Sequence, residues 1–355
     1  MTPSSYLPLV ELTRGEIIES VHFGAVAVVD IHGELVASAG NPNAVTYLRS
    51  TAKPFQVLPF IEAGGHKHFQ YSRQEIALMC ASHSGTDHHV EVVNRIQARA
   101  GITESDLKCG VHPPGHKMTA EAILLRGERP TPNRHNCSGK HSGMLAYAKM
   151  NAEPLENYLD FDHPVQQRIL TAFAEMCSLP EDSIKLGIDG CSAPNFAVPL
   201  RHAAWAWAKL ADPSHFSPVR AQACRTIVDA MIAHPDMVGG PERFDTVLMQ
   251  TANGLVVSKG GAEAYQGIGV LPGALGQGRA ALGIAIKISD GDGYGRAVAA
   301  AALEVLRQLG VLSESELRSL ATFGPKRAVT NWRKLVVGEM RPVFNLTTNG
   351  SSQPK

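Results

Sequence analysis

The sequence lacks two features that would point to a highly charged or membrane partner. Its charges balance, because 33 Lys and Arg residues stand against 33 Asp and Glu residues. No apolar run reaches the roughly 18 residues that a membrane-spanning helix needs. A chain without net charge has no general attraction for nucleic acid or for an anionic membrane surface. We therefore expect neither partner, and the 44% hydrophobic content is typical of a globular protein.

The sequence also lacks a secretory leader and a disulfide framework. Its N-terminus has no basic segment followed by an apolar core. Six cysteines scattered over 355 residues favour free thiols in a reducing compartment. A cytoplasmic location is the resulting expectation. Because no internal repeat and no low-complexity linker divides the chain, we predict one domain over residues 1–355.

Strand patterns concentrate at the two ends of the chain, and helix patterns fill the middle. Alternating or β-branched residues predict strands over 7–13, 20–30, 34–39, 245–250, 254–258, 263–270, 281–288 and 335–344, and a short strand is predicted over 185–188. A capping box from Ser72 to Glu75 begins one of the helices. The expected fold is α/β, with a mostly antiparallel sheet built from about residues 1–60 and 245–355 and flanked by helices. A helical and loop-rich middle region covers about residues 61–244.

Ser50 and Lys53 form the first candidate catalytic pair. Three residues apart, the two side chains share one helical face, about one turn from each other. Pro54 is tolerated only among the first helical residues, so the helix should begin at Ser50 or Thr51, where free N–H groups would stabilise an oxyanion. A lysine activates a serine hydroxyl when a desolvated or like-charged site lowers the lysine pKa. The same spacing recurs elsewhere in the chain, and alone it also fits an ordinary helix start.

Two further polar stretches follow. Ser82, His83 and Ser84 stand where a helix is expected to end, and a polar loop that terminates the helix is the alternative interpretation. Lys259 follows a predicted strand, and the two glycines after it would let a substrate approach the backbone, although a hairpin turn with a solvated lysine fits equally. With Ser50 and Lys53, these stretches are similar to the S-x-x-K, S-x-N and K-T-G set of serine β-lactamases and penicillin-binding proteins. The similarity is imperfect at His83 and at Gly260.

Cys137 and Cys191 lie in two glycine-containing segments, residues 136–143 and 189–191. A metal ion would bring two such thiols together, and thiolates favour zinc. The sequence pattern alone does not supply a third or a fourth ligand. Small cysteines that only pack in the core are the alternative.

Five motifs together resemble the rhizobial-type, class 3 L-asparaginases, whose fold is similar to that of serine β-lactamases and glutaminases. In chain order the motifs are R-S-T-A-K-P-F-Q, C-A-S-H-S-G, N-C-S-G-K-H-S-G, D-G-C-S-A-P-N and S-K-G-G-A-E. They stand in register within roughly residues 7–345, and no departure falls on the positions that carry the chemistry. The resemblance implies an amidohydrolase that converts L-asparagine to L-aspartate and ammonia, and it implies a homodimer.

The resemblance further implies two serine–lysine tandems. Ser50 would be the nucleophile, paired with Lys53, while Ser82 would form the second tandem with Lys259. Lys53, kept neutral by burial and by the cationic Lys259, would take the proton of Ser50, which would attack the side-chain amide. Backbone N–H groups would stabilise the oxyanion, ammonia would leave, and water would hydrolyse the aspartyl ester.

A zinc site beside the substrate pocket is implied as well. Its ligands would be Cys137, Lys140 and Cys191, with a water, and the lysine would have to be neutral to bind the metal. The zinc would organise the pocket rather than activate the attacking water, since a serine already supplies the nucleophile. The residues in contact with the substrate would be Arg49, His141 and Asp189.

Two other functions share parts of this apparatus. A glutaminase or a β-lactam-reactive serine hydrolase of the same fold would keep the serines and lysines, and turnover of glutamine or of a chromogenic β-lactam distinguishes them. A non-catalytic zinc-binding scaffold would keep the cysteines but would be indifferent to Ser50→Ala.

Overall fold

The computed structural model describes residues 6–348. Its strands are β1 (Leu7–Arg14), β2 (Ile17–Asp30), β3 (Leu35–Ala39), β4 (Val45–Tyr47), β5 (Lys185–Ile188), β6 (Pro194–Pro199), β7 (Val256–Gly261), β8 (Tyr265–Val270), β9 (Leu282–Ile288), β10 (Arg327–Thr330), β11 (Val336–Pro342) and β12 (Thr347–Thr348). Its α-helices are α1 (Lys53–Glu62), α2 (Gly65–His68), α3 (Arg73–Met79), α4 (Asp87–Ala100), α5 (Lys117–Leu125), α6 (Ser138–Met150), α7 (Pro164–Cys177), α8 (Leu200–Ala211), α9 (Pro218–Ala233), α10 (Pro235–Val238), α11 (Phe244–Thr251), α12 (Ala297–Gln308) and α13 (Glu314–Ser319).

The chain divides into two compact units, each assembled from separate segments. The sheet unit comprises residues 6–46, 198–212 and 251–348 of the described chain, and the helical unit comprises residues 47–197 and 213–250. Residues 47–60 therefore lie with the helices and α8 lies with the sheet, which differs from the expected boundaries near residues 60 and 245. That the whole chain is one domain stays a prediction.

The sheet unit is built around one antiparallel sheet made from both ends of the chain. Its main path runs β10-β11-β1-β2-β9-β8-β7, and β3 joins β2 on the side away from β9 and pairs with β12. The long strand β2 connects the two halves, since its first part pairs with β1 and its second part with β9. The β-branched second part of β2 is buried throughout, as a strand covered on both faces should be. The predicted α/β architecture with a mostly antiparallel sheet is confirmed.

Helix α8 packs on this sheet because strand glycines leave room for it. A Cβ atom at Gly283 would overlap the carbonyl group of Ala204, and one at Gly267 would overlap the indole of Trp207. Trp207 is fully buried in the resulting contact. Any larger residue at Gly283 would therefore push the helix away from the strand.

The helical unit has an aromatic core near the start of α1. Phe55 and Phe173 meet edge to face at a ring distance of 6.0 Å, and Phe173 stacks on Phe196 at 4.6 Å. These rings join α1 to α7 and to β6, which forms an antiparallel hairpin with β5. The predicted capping box of α3 is present, with the Ser72 N–H donating to Glu75 at 2.7 Å. The first turn of α1 and the β5–β6 hairpin are thus held by one buried cluster.

One predicted strand is wrong. Residues 245–250, expected in the sheet, form helix α11 instead. Its buried residues Asp245, Thr246, Leu248 and Met249 recur at helical spacing, so they share one face of a helix rather than one face of a strand. Four short strands, β4, β6, β10 and β12, were not predicted. None of the helices in residues 6–348 is long and apolar enough to cross a bilayer.

Candidate active site

Ser50 lies in a short 3-10 helix, Arg49–Ala52, that leads directly into α1. Arg49 has a left-handed backbone (φ 54°), a conformation that costs free energy in a residue with a side chain. Its N–H group donates to Oδ1 of Asn195 at 3.1 Å, which helps to hold that conformation. Ser50 is 8% exposed, and its hydroxyl makes no hydrogen bond within residues 6–348. The turn therefore carries a nearly buried hydroxyl that is not engaged in a hydrogen bond within the described residues.

Lys53 is the buried cation of the site, with 1% exposure. Its Nζ atom lies 2.5 Å from the Ala81 carbonyl, 2.9 Å from Oγ of Ser82 and 3.4 Å from the Asn136 carbonyl. Lys53 is thus hydrogen-bonded to Ser82, and its expected catalytic pairing with Ser50 stays a prediction. Both serines and Lys53 belong to the helical unit, and which hydroxyl reacts stays a prediction.

The loop that carries Ser82 is held from two sides. The Ser82 N–H donates to the Val238 carbonyl at 3.0 Å, and the His83 N–H donates to the Asn136 carbonyl at 3.2 Å. The His83 ring lies 2.9 Å from Oγ of Ser138. Burial holds the pKa of His83 well below its usual range, so the ring is neutral at physiological pH. The loop therefore positions Ser82 without placing a second charge beside Lys53.

Cys137, Lys140 and Cys191 come together as the sequence predicts. Cys137 immediately precedes α6, Lys140 lies in the first turn of α6, and Cys191 lies in the turn after β5. All three are almost fully buried, and Nζ of Lys140 is 3.0 Å from Sγ of Cys191. A hydrogen bond from Cys191 and the charges of Lys53 and Lys140 outweigh burial and hold the pKa of Cys137 well below its usual range. Burial acts to lower the pKa of Lys140, but Cys191 and Cys137 outweigh it, so the pKa of Lys140 is raised.

This donor set suits a zinc ion. Two sulfur atoms and one amine nitrogen converge in a buried place, and soft sulfur donors favour zinc over hard cations. An ionised thiol already meets the requirement that a ligand be deprotonated, whereas Lys140 would have to lose its proton. Among residues 6–348 no group of three or more His, Cys, Asp or Glu side chains forms a metal site. A zinc site here would therefore depend on the lysine as its third protein ligand.

Asp189 and Arg49 form an ion pair beside this cluster. Nε of Arg49 is 2.6 Å from Oδ1 of Asp189, which also accepts the Gly190 N–H at 2.9 Å. Burial acts to raise the pKa of Asp189, but the Arg49 hydrogen bond and the Lys140 charge outweigh it, so the pKa is lowered and the carboxylate is charged at neutral pH. The other carboxylate oxygen, Oδ2, has a long contact of 4.0 Å to Sγ of Cys191. That oxygen retains capacity to accept a hydrogen bond from a ligand.

His141 lies directly after Lys140 in α6 and is fully buried. Its Nδ1 atom is 2.6 Å from the hydroxyl of Tyr158, and its Nε2 atom has no hydrogen-bond partner of normal geometry within residues 6–348. Burial lowers the pKa of His141 to about 4, and the nearby Cys191 sulfur offsets this only in part. The imidazole is therefore neutral at physiological pH. Tyr158 belongs to none of the sequence motifs, and no sequence signal singled it out.

Lys259 belongs to the sheet unit, unlike the other predicted site residues. It lies in β7 opposite Gly267 of β8 and is 1% exposed. Its Nζ atom is 2.5 Å from the Gly260 carbonyl. The lysine thus lies buried within β7, and its tandem with Ser82 stays a prediction.

A surface cleft of about 700 Å³ in the helical unit reaches the turn that carries Asp189 and Cys191. Ile188, Ser192 and Pro194 line it from that turn, and the segment 156–162 lines it from the other side. A small molecule of amino-acid size fits this volume.

The helical unit brings buried lysine and serine side chains close to a charged pair and a thiol cluster. Such an arrangement is typical of an enzyme that acts on a small polar molecule. The sequence matches the family model described as L-asparaginase II over residues 10–342. The chain therefore belongs to the L-asparaginase II family, and it is an amidohydrolase. The comparison with curated proteins gives no match.

Solved structures with partly similar architecture are glutaminases. A Bacillus subtilis glutaminase in a covalent complex with 5-oxo-L-norleucine is 13% identical, with a TM-score of 0.39, over 82% of this chain and 89% of that chain. A probable glutaminase of Bacillus subtilis is 12% identical, with a TM-score of 0.39, over 81% of this chain and 88% of that chain. At these values the substrate of those proteins is not carried over to this chain.

Proposed function

We propose that this protein hydrolyses L-asparagine to L-aspartate and ammonia through a covalent acyl-enzyme intermediate. The family match supports the reaction class. The observation that carries the mechanism is the buried Lys53, hydrogen-bonded to Ser82 at 2.9 Å and one helical turn after Ser50. A serine hydroxyl requires an adjacent base to become a nucleophile, and Lys53 is proposed as that base.

In the proposed reaction Ser50 attacks the side-chain amide carbon of asparagine, and its proton passes to Lys53. Backbone N–H groups of the turn that carries Ser50 would stabilise the oxyanion. Lys53 then gives the proton to the departing nitrogen, which leaves as ammonia. Water adds to the aspartyl ester, and aspartate and the free serine are formed. A role of Lys259 toward Lys53 stays an expectation from the family resemblance.

The contacts of Lys53 also favour a second candidate, acylation of Ser82. A neutral lysine has two N–H donors and one lone pair. The carbonyl groups of Ala81 and Asn136 would take the two N–H groups, which leaves the lone pair directed at the Ser82 hydroxyl. In this arrangement Lys53 would remove the proton from Ser82 without an intermediary.

Zinc is proposed as a supporting cofactor held by Cys137, Lys140 and Cys191. When bound, it would supply a positive centre that fixes the loop of Cys191 and polarises groups beside it. The catalytic steps above are assigned to the serines and lysines alone. Two further expectations, a homodimer and a cytoplasmic location, stay predictions.

The substrate range tests the proposed function. Purified protein is expected to release ammonia from L-asparagine faster than from L-glutamine and to leave a chromogenic β-lactam intact. An assay of ammonia by coupled NADH oxidation and of β-lactam by absorbance measures all three. Turnover of glutamine alone would move the assignment to a glutaminase. A protein inert to all three compounds that still binds zinc would be the non-catalytic scaffold.

Asp189 is proposed to bind the α-ammonium group of the substrate. Asp189→Asn is expected to raise KM for L-asparagine about ten- to hundred-fold, the value of one hydrogen bond to a charged group, with a smaller change in kcat. Steady-state kinetics with N-acetyl-L-asparagine, which lacks the ammonium group, sharpens the test, since wild type and variant should then differ little. Asp87→Asn is the matched control, because it breaks an arginine–aspartate pair of 2.6 Å elsewhere in the same unit. An unchanged KM with a reduced kcat would assign Asp189 to chemistry instead of recognition.

A further inference from the structure

Tyr158 is held rigidly between α6 and α7, in a segment that no motif covers. Its side chain is fully buried. Its backbone carbonyl accepts a hydrogen bond from Nε2 of Gln166 at 2.7 Å. Its hydroxyl oxygen lies 3.0 Å from the Lys108 N–H and 2.6 Å from Nδ1 of His141. Both ends of the tyrosine are thus fixed, and its hydroxyl has two polar neighbours.

Counting protons decides the direction of these two hydrogen bonds. The Lys108 N–H can only donate, so the Tyr158 oxygen accepts there. The phenol has one proton, and burial raises the pKa of Tyr158, which keeps that proton in place. If Nδ1 of His141 also donated, the phenol proton would be buried without an acceptor, which costs about 1–3 kcal/mol. The phenol therefore donates to Nδ1, and Nδ1 carries no proton.

We propose that Tyr158 is a positioning residue that holds His141 as the neutral tautomer protonated on Nε2. Nε2 of His141 is buried and has no hydrogen-bond partner of normal geometry within residues 6–348. His141 directly follows Lys140 near the start of α6. A protonated Nε2 has no lone pair, so it can neither ligate a metal nor take a proton. It can donate a hydrogen bond to a substrate oxygen, a thiolate sulfur or a developing negative charge.

This assignment deepens the proposed function and rests on it for its kinetic consequence. His141 would act as a neutral donor, comparable to a backbone N–H in an oxyanion site, and not as a general base. It would also leave Cys137, Lys140 and Cys191 as the protein ligands available to zinc. Tyr158 contacts Nδ1 of His141, whereas the proposed donor atom is Nε2. A hydrogen bond at one ring nitrogen of a histidine determines whether the other nitrogen carries the proton.

The test reads the tautomer directly. Protein with 15N-labelled histidine is examined by long-range proton–nitrogen correlation NMR, and the His141 signal is assigned by its absence in His141→Gln. Wild type is expected to show a proton on Nε2 and none on Nδ1. Tyr158→Phe is expected to populate the Nδ1-protonated form and to lower kcat for L-asparagine about ten- to hundred-fold, the usual effect of removing such a second partner, with less change in KM.

Tyr71→Phe is the matched control. Tyr71 is also buried in the helical unit, and its hydroxyl donates to the Ile96 carbonyl at 2.9 Å, so this variant loses a buried hydrogen bond without touching His141. It should leave the tautomer and kcat unchanged. A wild-type His141 with its proton on Nδ1 overturns the inference, and so does a folded Tyr158→Phe protein with unchanged tautomer and kcat. Once His141→Gln has assigned the signal, the wild-type spectrum needs no turnover, so it decides the tautomer even if L-asparagine is not the substrate.

Discussion

Alanine at Ser50 is expected to lower ammonia release from L-asparagine at least about a thousand-fold, because binding groups alone give only residual catalysis once the nucleophile is lost. Alanine at Ser82 is expected to cost about a hundred-fold, the contribution of a group that helps to move a proton. The difference follows from the two positions. The Ser50 hydroxyl makes no hydrogen bond within residues 6–348, whereas Ser82, the more exposed of the two serines, is already bound to Lys53.

Kinetics and mass spectrometry of acid-quenched reactions test this assignment together. An aspartyl ester should appear on the peptide that contains Ser50 in wild type and in Ser82→Ala, and it should be absent in Ser50→Ala. Ser183→Ala is the control, since the Ser183 hydroxyl is exposed and donates to the Pro180 carbonyl at 2.7 Å. Full activity in Ser50→Ala with an ester on Ser82 would make Ser82 the nucleophile and Lys53 its direct base. Full activity in both variants would remove the serines from the mechanism.

The sequence predicts this fold well where one local rule acts alone. Alternation of residues predicts the first three strands, and the capping box predicts the helix after Ser72. The position of Pro54 predicts the helix that begins near Ser50. Prediction fails at residues 245–250, because a short apolar segment fits a strand and a helix equally, and its burial against other helices decides. The short strand β6 was missed because its pairing partner, β5, decides its conformation more than its own residues do.

The site shows the same limit at the level of single contacts. Spacing places Ser50 and Lys53 on one helical face. The lysine side chain is long, however, and it reaches Ser82, which lies on a loop 29 residues later in the sequence. The family resemblance implied that Cys137 and Cys191 share a site, while no pattern indicated the ion pair of Asp189 with Arg49. Tyr158 carries no motif, since its role depends on where a loop brings one hydroxyl. Contacts of this kind arise from tertiary packing, which no local sequence pattern records.

Loss of one thiol from the Cys137–Lys140–Cys191 cluster is expected to abolish stoichiometric zinc binding. Structural sites bind zinc with a free energy of about 10–16 kcal/mol, which roughly four ligands share. Loss of one ligand should therefore lower the zinc affinity at least about a hundred-fold. Wild type should contain about one zinc per chain by elemental mass spectrometry, the count expected of a single site. Cys137→Ala and Cys191→Ala should contain none after dialysis. Cys224→Ala is the matched control, because burial raises the pKa of this thiol to about 12 and keeps it protonated.

The lysine in this cluster makes zinc binding depend on pH in a defined direction. Without metal, the raised pKa of Lys140 keeps the amine protonated at neutral pH, so zinc must displace a proton to bind there. Affinity should therefore rise with pH, about tenfold per pH unit for each proton released. Competition with a chromophoric chelator between pH 6 and 8 measures this slope. In Lys140→Met the slope should fall by one proton, and an unchanged slope would show that Lys140 is not a ligand.

Removal of zinc tests whether the metal only organises the pocket. In that case the metal-free protein should show a large loss of affinity for L-asparagine and a smaller decrease in kcat. A metal-free protein that keeps its fold and its affinity but has no turnover would instead place zinc in the chemical step.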